Sequence, residues 1–130
     1  MARANVTATL LPGAALMLRL PWPPAREMIE AGVRVALGTD CNPGTSMTEA
    51  LPLMTTLAVT QMRLTCEEVW RAVTVNAARS LGREDLGMLA PGCQADIVVF
   101  DFDDWRALPY HFGTPRALCV IKRGKVVYQA

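Results

Sequence analysis

The segment "VRVALGTDCNPGTS", Val33 to Ser46, decides how the rest of this 130-residue chain is read. An apolar, β-branched run stops at Gly38, a single acid follows at Asp40, and two polar steps punctuated by Pro43 and Gly44 come next. Such a run, bounded by turn residues, predicts a short buried strand. Upstream, "VTATLLPG" (Val6–Gly13) has the same texture and ends on a Pro12-Gly13 turn. It predicts a strand covered on both faces. Between the two, "PWPP" (Pro21–Pro24) punctuates, and "AREMIEAG" (Ala25–Gly32) predicts a short helix stopped by Gly32. Strand, helix and strand at this spacing suit a right-handed parallel crossover, hence an α/β fold. In such folds the loops leaving the C-terminal ends of the strands carry binding and chemistry. Asp40 stands at that place.

Beyond the loop, "MTEALPLMTTLAVTQMR" (Met47–Arg63) predicts a helix with Leu51, Met54, Leu57, Ala58 and Met62 near one face and Pro52 early in it. "TCEEVWRAVTVNAARSLG" (Thr65–Gly82) predicts one helix, opened by a capping box of Thr65 and Glu68 and closed by Gly82. Asn76, at a buried-looking position, has two readings, a clamp on a neighbouring backbone or a local hydrogen bond; the local bond is preferred. After Gly87 the texture changes. A strand is expected over Ala95–Asp101, then a loop over Asp103–Pro115, then a hairpin about Arg123-Gly124. These last strands predict a second, antiparallel unit. Two parallel strands leave open apolar edges, and the terminal strands lack partners. The chain is therefore expected to be the end of something larger, and on its own to aggregate or be partly molten.

Composition narrows the function classes. The chain is 52% hydrophobic and 19% charged, with net charge +1, which gives no electrostatic case for nucleic acid or an anionic membrane. No apolar run approaches the roughly 20 residues of a membrane helix. Met1–Gly13 carries Arg3 but no apolar stretch ending in a small-residue cleavage site, so no signal peptide is expected. Cys41, Cys66, Cys93 and Cys119 form no CxxC or CxxH; reduced thiols are expected rather than a zinc cage or a disulfide framework. His111, the single histidine, cannot build a His-rich zinc site, and within "LPYHFGTP" it reads as a packing or surface residue. "DFDD" (Asp101–Asp104) lacks calcium-loop spacing. Trp22, Trp70 and Trp105 read as packing residues.

Spacing alone leaves two readings of the loop open. Thr39, Asp40 and Asn42 are turn formers whose side chains bond nearby amides. Alternatively, Asp40 is a metal ligand or general base at a strand end. Asn42, Gly44, Thr45 and Ser46 then offer an amide, a close backbone approach and two hydroxyls to a small polar ligand.

"VTATLLPGA", "GVRVALGTDCNPGTS", "VTVNAARSLG" and "ADIVVFD", in this order and spacing, resemble the C-terminal third of the imidazolonepropionase family, within the amidohydrolase superfamily. The resemblance covers essentially the whole chain, and "YHFGT" is similar too. "GTD" is shared widely in the superfamily; "GTDCNPGTS" followed by "VNAARSLG" is far more specific. It implies the last two strands of a distorted (β/α)8 barrel over residues 1–88, with Val6–Leu11 as the seventh strand and Val33–Gly38 as the eighth. Residues 89–130 would be the C-terminal strands of a small β-sandwich built from both chain ends. Asp40 matches the family's metal-binding, proton-shuttling aspartate, and Asn42, Gly44 and Thr45 match residues that hold substrate or product. The implied reaction is metal-dependent hydrolysis of 4-imidazolone-5-propanoate to N-formimidoyl-L-glutamate, with one zinc or iron, in a cytoplasmic homodimer. The family's HxH pair and its other metal histidines are not in this sequence, so the chain is expected to be inactive alone. Pro115 departs from the pattern, which leads to a polar residue there. The alternatives are another amidohydrolase, such as a cyclic-amidine deaminase, and a non-catalytic relic or partner chain.

Overall fold

The computed structural model describes residues 1–114 and 116–130; Pro115, where the sequence departs from the family pattern, lies outside them. The elements in order are β1 (Thr7–Leu10), α1 (Pro12–Leu18), α2 (Ala25–Glu30), β2 (Arg34–Leu37), α3 (Leu51–Met62), α4 (Cys66–Val73), α5 (Val75–Ser80), β3 (Ile97–Phe100), β4 (Ala117–Lys122) and β5 (Lys125–Gln129). The fold is α/β, with one parallel strand pair and one antiparallel sheet.

β1 and β2 pair in parallel, Thr7 opposite Arg34 and Leu10 opposite Leu37. Ala8, Leu10, Val35 and Leu37 share a face because alternate residues do. They join Ala25, Ala58, Met62, Leu64, Val69 and Ala72 in one apolar core. On the opposite face Ala36 is buried but Thr9 is exposed. β1 therefore alternates and is not covered on both faces, since the helices pack on one side of it.

Two further expectations are corrected. Pro12-Gly13 does not close a turn after β1; Pro12 opens α1. A proline at the first helical position gives up no hydrogen bond, because that amide has no partner in a helix. The stretch Thr65–Gly82 is two helices, broken at Thr74 (φ −122°, ψ −97°). The Thr74 hydroxyl turns back to donate to the Trp70 carbonyl at 2.6 Å. A later loop presses into the break: a Cβ on Gly87 would lie 2.7 Å from the Thr74 carbonyl carbon and oxygen. That cause lies outside the helical sequence. The capping box forms as read, with Thr65 accepting from the Glu68 amide and Glu68 accepting from the Thr65 amide. α3 starts at Leu51, later than expected, with Pro52 in its first turn.

β3, β4 and β5 form an antiparallel sheet in that order. Arg123 (φ 51°) and Gly124 (φ 75°) both take the left-handed conformation that a two-residue hairpin turn requires. Trp70 joins the helices to this sheet. Its indole N–H donates to the Trp105 carbonyl at 2.8 Å, and its ring meets Phe100 edge-on at 5.9 Å. Thr56 adds a second tie through the Pro109 carbonyl. Among the described residues, no helix is long and apolar enough to cross a membrane.

Candidate functional site

The strand β2 delivers the chain into Gly38-Thr39-Asp40, and the loop to Ser46 folds on itself around Asp40. The Asp40 backbone has φ 52°, a region open to aspartate more readily than to most residues. Its side chain is exposed, and Oδ2 lies 3.4 Å from the Thr45 hydroxyl. Among the described residues Oδ1 has no hydrogen-bond donor.

Asn42 organises the loop. Its Oδ1 accepts from the Gly44 and Thr45 amides, both at 2.8 Å, and its Nδ2 donates to the Asp40 carbonyl and to Thr45 Oγ1. Two backbone amides on Oδ1 fix which way the amide points. The Thr45 hydroxyl, already accepting from Asn42, is placed to donate onward to the Asp40 carboxylate. Asn42 also pairs with Ser46 through the backbone, its amide donating to the Ser46 carbonyl at 3.0 Å. Ser46 itself is 2% exposed, and its hydroxyl donates to the Thr39 carbonyl at 2.7 Å.

The turn reading holds: the side chains of Asn42 and Ser46 bond nearby backbone groups. The loop is a turn stabilised by its own polar side chains, and that turn presents one carboxylate outward. All four residues singled out, Asp40, Asn42, Gly44 and Thr45, lie in this loop. Gly13 and the α1 terminus, which press on Ser46, were not legible as part of it. A Cβ on Gly13 would lie 2.6 Å from Ser46 Oγ.

The other candidates lie elsewhere. His111 stacks on Phe102 at 6.4 Å, in a row that continues to Phe100, and has Tyr110 edge-on. In the acidic run, Asp101 pairs with Arg116, and Asp104 caps the turn Trp105–Ala107 and pairs with Arg106. A cleft of about 430 Å³ runs between Leu51, Thr55, Trp70 and Val73 on the helices and Ile97 and Phe100 on β3. It is apolar, and Asp40 is not part of its wall. Among the described residues, no three His, Cys, Asp or Glu side chains converge to hold a metal ion. Asp40 fits as one oxygen ligand, a carboxylate oxygen without a donor facing outward, but no set of ligands forms around it among the described residues.

The sequence and the fold have counterparts among known proteins. The amidohydrolase family model matches residues 2–128, and the chain belongs to that family. Within it, the chain is 48% identical over 130 residues to the imidazolonepropionase of Shouchella clausii, covering 99% of this chain and 29% of that one. It is 44% identical over 129 residues to that of Porphyromonas gingivalis, covering 98% and 30%. The chain thus spans about 30% of the length of the curated relatives it matches. Among solved structures, the atrazine chlorohydrolase of Arthrobacter aurescens complexed with zinc superposes with TM-score 0.89 at 27% identity, over 98% of this chain and 32% of that one. A zinc-bound adenosine deaminase from Xanthomonas campestris superposes with TM-score 0.87 at 24% identity, over 98% and 33%, a likeness of fold alone.

Proposed function

We propose that this chain forms the C-terminal part of an imidazolonepropionase, hydrolysing 4-imidazolone-5-propanoate to N-formimidoyl-L-glutamate. Residues 1–88 would contribute the last two strands of a (β/α)8 barrel, and residues 89–130 the C-terminal strands of a small β-sandwich. The observation that carries this reading is the Asp40 carboxylate, held outward at the C-terminal end of β2 by a loop whose other polar groups bond one another. The identity of 44% and 48% to imidazolonepropionases, over essentially the whole chain, supports the substrate.

Asp40 would supply one ligand to a divalent metal, zinc or iron; the remaining ligands belong to sequence this chain does not contain. The bound metal would polarise the scissile carbonyl and make hydroxide available at neutral pH. Asp40 would take the proton of the attacking water and return it to the leaving ring nitrogen. Asn42, Gly44 and Thr45 would face the propionate-bearing substrate, Asn42 also shaping the loop that presents them. The complete enzyme would be a cytoplasmic homodimer.

The test is assembly. This chain is combined with a histidine-bearing N-terminal barrel segment of a relative, fused or as a separate polypeptide, and hydrolysis of the imidazolone is measured beside that of a cyclic amidine. Imidazolone hydrolysis is expected, lowered by about 10²-fold or more in Asp40→Asn. Preference for the amidine, or full activity of Asp40→Asn, would overturn the reading.

A further inference from the structure

Asp40 sits between two peptide units, and each is held from the loop. Its φ is set against the Thr39–Asp40 peptide, whose carbonyl accepts from Ser46 Oγ at 2.7 Å. Its ψ is set against the Asp40–Cys41 peptide, whose carbonyl accepts from Asn42 Nδ2. These two bonds together fix a left-handed backbone (φ 52°) at a residue with a side chain, a conformation that persists only where the surroundings hold it. The Asn42 bond spans two residues at the exposed rim of the loop. The Ser46 bond differs: Ser46 is 2% exposed and lies against Gly13 on α1, whose missing Cβ leaves room for the hydroxyl. Methionine 54 closes the same spot, since its Sδ and Cε would each lie 3.1 Å from a Cβ on Gly13. Ser46 is thus seated by α1 and α3, and passes their position to the Thr39 carbonyl.

We propose that Ser46 is the positioning residue for Asp40, acting through the Thr39 carbonyl, with Gly13 as the surface that seats it. The proposal rests on the reading of Asp40 as the reactive carboxylate. Ser46 touches neither substrate nor metal in this account. Removing its hydroxyl frees the peptide that sets φ, and the carboxylate moves while the loop's Asn42 network stays. A displacement of about 1 Å at a reacting group costs up to about 10²-fold in rate.

The experiment uses the assembled enzyme described above, with kcat, KM, bound metal and thermal stability measured for each variant. Ser46→Ala is expected to lower kcat by about 10- to 100-fold, with KM and metal content little changed. Thr55→Ala is the control, since it also removes a buried hydroxyl, 1% exposed and bonded within α3 to the Pro52 carbonyl at 2.6 Å. It should lose stability and keep kcat. Gly13→Ala should imitate Ser46→Ala by displacing Oγ, and the double variant should be no slower than Ser46→Ala. Wild-type kcat in Ser46→Ala, an equal fall in Thr55→Ala, or multiplying defects in the double variant would each overturn the proposal while leaving the function intact. An inactive wild-type assembly, or an active Asp40→Asn, would overturn the function and this inference together.

Discussion

The side-chain amide of Asn76, on α5, donates to the main-chain carbonyl of Val35, on β2, at 2.8 Å across 41 residues of sequence. Alternate peptide groups of a parallel strand face opposite neighbours. The Gly38 amide donates to the Leu10 carbonyl on β1, so Val35, three positions earlier, directs its groups away from β1. Asn76 satisfies a carbonyl on the unpaired side of the pair. It is the clamp, and not the local hydrogen bond preferred from sequence.

Replacing Asn76 by Ala should leave the Val35 carbonyl without a donor beside a packed core. A loss of about 1–3 kcal/mol is expected, read as a lower urea midpoint for the enzyme that contains this segment. Equal midpoints for wild type and Asn76→Ala would show that water or another group replaces the amide.

Acid should act on the antiparallel sheet through Asp96. Lys122 donates to its carboxylate, the Arg123 amide adds a second bond, and together they hold the group down at about 2. A carboxylate depressed in the folded state stabilises fully above its unfolded value of about 4 and loses that contribution as pH falls toward 2. Asp96→Asn should therefore flatten the dependence of unfolding on pH over this window. Glu68 would leave a residual slope of the same sign: burial pushes its carboxyl up, but Arg26 and Thr65 outweigh burial and hold it below the usual range. Identical slopes with and without Asp96 would remove it from the account.

Two glycines separate backbone strain from collision. Gly87 (φ 80°) and Gly92 (φ 86°) are alike in conformation, but a Cβ on Gly92 meets nothing within 4 Å, whereas one on Gly87 strikes the backbone at the α4–α5 break. Gly87→Ala should cost about 1–3 kcal/mol more than Gly92→Ala. Equal losses would mean that the break yields.

The chain exposes apolar strands of its own. Val126, Val127 and Tyr128 on β5 are 59%, 62% and 50% exposed, and Val98 and Val99 on β3 are exposed too. An open apolar edge recruits another chain. Sedimentation of the 130-residue chain alone should show association rising with concentration, and its unfolding should be broad. A monomer with one sharp, cooperative transition would refute this.

What could be read from the sequence was whatever a short window decides. Thr65 and Glu68 announce a capping box within four residues, and Arg123-Gly124 announces a hairpin, because both are local backbone chemistry. Asp40 was legible as a strand-end carboxylate for the same reason. The break at Thr74 was not, since the periodicity runs through it and the cause sits at Gly87. Pro12-Gly13 serves equally well to end a strand or begin a helix, and only the seat it makes for Ser46 distinguishes them. The left-handed backbone at Asp40 was hidden because the bonds that hold it come from Asn42 and Ser46, whose side chains read as available to a ligand.

The Asn76–Val35 bond also orders events in time. Val35 cannot acquire its donor until the chain as far as α5 has been made and has docked. The β4–β5 hairpin closes over its two-residue turn, an event of microseconds. As the chain leaves the ribosome, the β1–β2 pair must wait for α5, which is made later, while the β4–β5 hairpin can form almost as soon as it emerges.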